Sequence, residues 1–191
     1  MNKQKSNCKF LSFIEKTAAI IEKNNTGFLN ELEDILRELI QTKSWLSIEK
    51  QVPDDKKYAR HSLYQDPMNR FEVLALVWKK GQKTPLHDHD GTWGIEGVVC
   101  GRIYVQNFVQ TKQIAGNLFE LQHTESISLG VGETDQILPP ADCHIIEVDK
   151  KDIAITIHVY GKKLERFQIF EPTNKQNIYM SRYYNATYNS Q

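Results

Sequence analysis

The stretch Pro85-Leu86-His87-Asp88-His89 sets two histidines one residue apart, between Gly81 and Gly101. Successive side chains of an extended strand alternate faces, so His87 and His89 point the same way. Two imidazoles on one face can grip one metal ion, and a third histidine would complete a facial set. Taken alone the pair is also compatible with a surface loop carrying two solvated histidines. The sequence around it separates the two cases.

On either side of the pair the chain reads as strand. Phe71 to Trp78 (FEVLALVW) is dense in strand formers. Further short runs follow at 94–99, 102–109, 117–122, 124–129, 133–138, 144–149, 153–160 and 165–170. Turn signals separate several of them, among them Lys80-Gly81, Cys100-Gly101, Ala115-Gly116-Asn117, Leu129-Gly130 and Pro139-Pro140. Many short strands at regular spacing predict a sandwich or small barrel. Ahead of Pro53, residues 9 to about 50 read as helical. Phe10, Phe13, Ile14, Ala18 and Ile21 form one apolar stripe; Phe28, Leu32, Ile35, Leu36 and Leu39 form another. Asn24-Asn25-Thr26-Gly27 breaks the run into two helices. The tail after Pro172 is polar and tyrosine-rich, and its sequence leaves open whether it wraps over the barrel or stays disordered. With no repeat or linker, the expectation is one domain over 1–191: a helical segment to about residue 52, a β-barrel over 53–172 and a tail over 173–191.

Composition narrows the function. Lys+Arg 24 balances Asp+Glu 24 in 191 residues, so no global field attracts nucleic acid or an anionic membrane. The apolar runs near the start, Phe10-Leu11 and Phe13-Ile14, are too short for a signal peptide, and none approaches a membrane span. A cytoplasmic protein is expected. Cys8, Cys100 and Cys143 are an odd number without CxxC spacing, which predicts free thiols in or near a core.

The spacing around the histidines is Gly81, five residues, His87, one, His89, four, Gly94, six, Gly101; later come Gly132, six residues, Pro139, Ala141 and His144. This pattern resembles the two motifs of the cupin superfamily, which implies a mainly β, double-stranded β-helix (jelly-roll) fold with the metal inside, here behind N-terminal α-helices. The resemblance makes His144 the third ligand beside His87 and His89. Cupins usually carry a glutamate ligand where this chain has Gly94, and Ala141 replaces a glycine of the second motif. Glu96 falls two residues too late for the pattern and is not counted as a ligand. Three neutral imidazoles leave a divalent ion its full charge, a donor set that suits Fe(II), Cu, Ni or Zn.

Two further patterns stand beside the motifs. Thr156, His158 and Tyr160 project from one strand face, with Ile157 and Val159 on the other. They form either a hydroxyl–imidazole–phenol relay or a solvent-facing polar stripe. Tyr58 and Arg60 likewise share a face, and Arg60 is either a two-pronged carboxylate clamp or a surface arginine. Together with the histidines, these residues resemble the cysteine dioxygenase family of thiol dioxygenases over roughly residues 10–172. That family usually has Ser-His-Tyr where this chain has Thr156, His158 and Tyr160. The resemblance implies Fe(II) held by His87, His89 and His144, and a carboxylate clamp at Arg60 with Tyr58 beside it. It also implies Tyr160 acting on substrate or oxygen, oriented by His158 and Thr156. The implied partners are a small-molecule thiol and O2, with no nucleic acid or membrane, and the implied state is a monomer. Animal members crosslink the tyrosine equivalent to Tyr160 to a cysteine; Gly94 stands at that position, so no crosslink is expected.

Two sister substrates remain. Arginine at position 60 marks the cysteine branch and points to oxidation of L-cysteine to cysteine sulfinic acid. The neighbouring text, Thr84 to His87 and Thr92 to Gly94, looks more like bacterial 3-mercaptopropionate dioxygenases, in which an arginine near Arg166 takes the carboxylate. A non-catalytic metal-binding cupin and a zinc or nickel cupin enzyme are the alternatives from other classes.

Overall fold

The computed structural model describes residues 2–23 and 25–189, with side chains from Cys8 onward. Two helices come first, α1 (Asn2–Lys23) and α2 (Phe28–Ile40). Of the break expected between them, Asn24 lies outside the described residues; the rest is a turn ending at Gly27, whose φ of 92° suits a residue without a Cβ. Ten strands follow: β1 (Ala59–Gln65), β2 (Glu72–Trp78), β3 (Gly94–Cys100), β4 (Ile103–Ala115), β5 (Leu118–Leu129), β6 (Thr134–Ile137), β7 (Cys143–Val148), β8 (Ala154–Tyr160), β9 (Arg166–Pro172) and β10 (Ile178–Asn185).

The strands form two five-stranded antiparallel sheets, ordered β1-β2-β8-β3-β6 and β7-β4-β5-β10-β9. From β3 to β9 the chain passes repeatedly between them, the winding of a double-stranded β-helix. The mainly β fold with leading helices is therefore the one observed. None of the described helices is long and apolar enough to cross a membrane.

The central strands of the first sheet are buried on both faces, which is why β2 and β8 read as almost unbroken apolar runs. Val73, Ala75 and Val77 of β2, with Ile155, Ile157 and Val159 of β8, pack under the helices against Leu32, Leu36 and Ile40. Gly97 of β3 allows the closest approach: a Cβ there would stand 2.6 Å from Ile40 Cδ1. Glu33 ties α2 to β6, accepting from Thr134 Oγ1 (2.7 Å) and Gln136 Nε2 (2.8 Å). The alternate residues of these strands face the barrel interior, where the candidate site lies.

The structure departs from the expected elements in several places. The second helix ends at Ile40 rather than near residue 50, and Ala59–Gln65 is a strand outside the expected runs. The runs 117–122 and 124–129 are one strand, β5, because register shifts in its pairing with β4 carry the ladder through the exposed polar residues. Residues 178–185 of the tail are a strand that pairs with both β9 and β5. Cys8 is exposed rather than near a core; Cys100 is half-buried and Cys143 buried, and all three are free.

Candidate metal centre and its surroundings

The histidine pair lies on an extended segment between β2 and β3 that is hydrogen bonded on both edges. His87 exchanges backbone hydrogen bonds with His144 (N–H to O 3.2 Å, and 3.0 Å in return). Asp88 N–H donates to Gln168 O, and Phe170 N–H donates to Leu86 O. The segment thus joins β7 to β9. Asp88, between the two histidines, turns away from them: its carboxylate accepts from Gln168 N–H (2.7 Å), Gln168 Nε2 (3.1 Å) and Asp90 N–H (3.2 Å). That arrangement fixes the alternation His87-in, Asp88-out, His89-in.

His87, His89 and His144 are all buried, with metal-binding ring nitrogens within 4.8 Å of one another. His87 Nδ1 lies 3.0 Å from Pro85 O, and His89 Nδ1 2.8 Å from Asp142 O. A carbonyl only accepts, so each Nδ1 carries the proton and each Nε2 keeps a lone pair. The Nε2 atoms of His89 and His144 are buried with no hydrogen-bond partner. Burial also keeps the rings neutral: it pushes His87 down to about 4 and holds His89 and His144 well below the usual histidine value. Buried, neutral, convergent and unsatisfied nitrogens are what a divalent ion with open positions requires. The three histidines fit such an ion.

Thr156, His158 and Tyr160 also face inward, and all are buried, so the polar stripe is not a solvent face. A directed chain runs through them. The Trp78 indole N–H, which can only donate, gives its hydrogen to Thr156 Oγ1 (2.9 Å). Thr156 Oγ1 lies 2.8 Å from His158 Nε2, and His158 Nδ1 lies 3.1 Å from the Tyr160 hydroxyl. Burial lowers His158 to about 3 and raises Tyr160, so both stay neutral. The Tyr160 ring stacks on His89 with centroids 5.2 Å apart. Gly94 makes room for that ring, since a Cβ at this position would sit 2.8 Å from Tyr160 Cδ1. The glutamate usual in cupins would collide with Tyr160.

Glu96, discounted as a ligand, faces the same interior. It pairs in register with His158, is fully buried, and holds Oε2 3.2 Å from His158 Nδ1 without the alignment of a hydrogen bond. Burial raises its carboxyl well above the usual range, with the nearby charge of Asp135 adding to the effect. Glu96 and Trp78 are the site residues that sequence reasoning missed. The signal for Glu96 was present: two residues after Gly94 on a strand, it must share the face of Gly94.

Arg60 points into the barrel from β1. Its side chain is buried, Nη2 donates to Leu164 O (3.4 Å), and Nε has no hydrogen-bond partner. Its positive charge opposes protonation of His87, His89 and His158 and favours ionisation of Tyr160, so it acts on the same space. Tyr58 stands beside it, packed on Trp78 with centroids 4.4 Å apart. Both line a cavity of about 510 Å³ whose walls include Pro85, Phe167, Ile169 and Tyr184 and whose rim carries Lys56, Lys57, Lys83 and Arg182. Arg166 is not brought to this site. On β9 it alternates with the buried Phe167, so it faces solvent, 3.4 Å from Asp90 and stacked over Tyr183. Its expected role as a carboxylate clamp is corrected accordingly.

No family model matches the sequence. Among solved structures, the TT1209 protein from Thermus thermophilus aligns at 15% identity over 61% of this chain and 94% of its own, with a TM-score of 0.47. An uncharacterized conserved protein with a double-stranded β-helix domain from Klebsiella pneumoniae subsp. pneumoniae aligns at 17% identity over 66% and 96%, with a TM-score of 0.45. Oxalate oxidase in complex with the substrate analogue glycolate aligns at 18% identity over 57% and 53%, with a TM-score of 0.44; this chain spans about half of it. The fold assignment rests on the strand order rather than on these loose likenesses.

Proposed function

We propose that the protein is an Fe(II)- and O2-dependent thiol dioxygenase that oxidises L-cysteine to cysteine sulfinic acid. The observation that carries this reading is the convergence, in one barrel interior, of three neutral imidazoles, two of them with an unpartnered Nε2, a buried guanidinium with an unpartnered Nε, and a tyrosine hydroxyl held by a histidine. A metal-storage or sensor module needs only the first of these.

His87, His89 and His144 would hold the ion, which supplies the redox capacity to join dioxygen to sulfur and the charge that favours a thiolate. The protein's own residues do the rest. Arg60 accepts the substrate carboxylate on its free edge, with Tyr58 closing the side of the cavity. Tyr160 presents its hydroxyl to the substrate, held in place by His158, Thr156 and Trp78. Burial of the interior excludes water and strengthens each of these polar contacts. The balance is one thiol and one O2 giving one sulfinate and one proton, both oxygen atoms ending on sulfur. The outward-facing Arg166 leaves Arg60 as the clamp, which favours cysteine over 3-mercaptopropionate.

Oxygen uptake by the anaerobically Fe(II)-loaded chain, with L-cysteine and 3-mercaptopropionate in parallel at equal concentration, tests the reading. Mass spectrometry should find a product heavier than cysteine by two oxygen atoms. Faster uptake with mercaptopropionate would reassign the substrate. Uptake with neither thiol above the metal-only control would leave a plain metal-binding cupin.

A further inference from the structure

Arg60 is held from outside the barrel by a short segment that follows β10. Asn189 N–H donates to Arg60 O (2.8 Å), and Arg60 N–H donates to Asn189 Oδ1 (2.8 Å), so one residue fixes both backbone polar groups of the arginine. The Tyr188 ring lies 5.0 Å from Arg60 Cζ. Its hydroxyl reaches both oxygens of Glu72, at 2.9 and 3.1 Å. Glu72 is buried and stands 4.0 Å from Arg60 Nη2.

That last distance is the informative one. A buried arginine beside a buried carboxylate normally closes into a two-pronged pair, which satisfies both groups. Here the pair stays loose. Three neutral donors engage Glu72, the Tyr188 hydroxyl, Leu164 N–H at 3.2 Å and Ser62 Oγ at 3.4 Å, and Arg60 Nε is left without a partner. The guanidinium leans on Leu164 O through Nη2 and on the Tyr188 hydroxyl, and its Nε edge is thereby kept for a carboxylate that is not part of the protein.

We propose that Tyr188 and Asn189 are positioning residues that keep Arg60 open as a carboxylate-selective socket, Tyr188 by occupying Glu72 and Asn189 by anchoring the Arg60 backbone. The inference rests on the reading of Arg60 as the substrate clamp. It adds that carboxylate selectivity is maintained by a segment in which no chemistry takes place.

The test compares L-cysteine with 2-aminoethanethiol, which has the same thiol and amine but no carboxylate. Anaerobic calorimetry on the metal-loaded full chain gives Kd for each, and oxygen uptake gives KM and kcat. Tyr188→Phe keeps the ring and lets Glu72 close on Arg60; it should weaken L-cysteine about tenfold in Kd and KM, leaving kcat and 2-aminoethanethiol within about twofold. Asn189→Ala should show the same selectivity. Adding Glu72→Gln to Tyr188→Phe removes the competing charge and should restore cysteine binding. Equal weakening of both thiols, unchanged cysteine binding, or no rescue by Glu72→Gln would overturn the proposal. A wild-type protein that binds the two thiols equally would instead remove the clamp reading itself, a result visible before any variant is made.

Discussion

Gly94→Ala places one methyl group where the structure has no space for it. The new Cβ would lie 2.8 Å from Tyr160 Cδ1 and 3.0 Å from Cε1, whereas carbon pairs rest at about 3.5–4.0 Å, so the ring or the strand must yield by about 0.5–1 Å. Overpacking of this kind costs about 1–3 kcal/mol. For a chain of this size that lowers the melting temperature by about 2–12 °C. The Tyr160 hydroxyl moves with its ring and leaves its 3.1 Å contact with His158; a displacement near 1 Å at a reacting group costs about 100-fold in rate. Thermal denaturation of the metal-free protein reads the first effect, and oxygen uptake with saturating cysteine reads the second. Tyr160→Ala provides the control, because it removes the two nearest contacts and leaves Val159 O at 3.3 Å. The two substitutions should therefore couple by about 1 kcal/mol or more in a double-mutant cycle. An unchanged melting temperature, or an equal drop in both backgrounds, would refute the packing argument.

Three other outcomes are expected. His87→Ala, His89→Ala and His144→Ala should each abolish tight metal binding in equilibrium dialysis, and retention in any one would remove that residue from the ligand set. Arg60→Ala should cost about 1.5–3 kcal/mol of L-cysteine binding, the worth of a charge-assisted hydrogen bond, and Arg166→Ala almost none; the reverse order in calorimetry would move the clamp to the outer face. Glu96 holds its proton in the folded chain at pH values where the unfolded chain, near 4.5, has released it. Its contribution to stability is therefore full below that pH and declines as pH rises. Glu96→Gln should match wild type in urea midpoint near pH 4 and exceed it at pH 7, and a pH-independent difference would count against this.

Much of the barrel and of its three-histidine cluster was legible in the sequence because both depend on short spacings. His87 and His89 share a face by strand alternation, as do Thr156, His158 and Tyr160, and Ile157 and Val159 identify the opposite face as apolar. What lies across from a residue is another matter. Trp78 reaches Thr156, and Glu96 reaches His158, only because β8 lies between β2 and β3 in the sheet. That order is set by non-local pairing, which alternation does not encode. Arg166 was undecided for a related reason: the parity of β9, fixed by its pairing with β10, turns it to solvent. The tail was undecided because its polar, mostly exposed residues become a strand only through non-local pairing with β5 and β9, which composition does not encode.

The segment that carries His87 and His89 is hydrogen bonded along both edges, and Asp88 locks it to β9. Chelation should therefore leave the fold intact, since the ion does not assemble its own pocket. A ready-made set of neutral imidazoles also ranks divalent metals by their intrinsic affinity, which places copper above iron. On the proposed reading, occupancy by iron would then be decided by supply when the site is filled, and copper would be the ion best able to take its place.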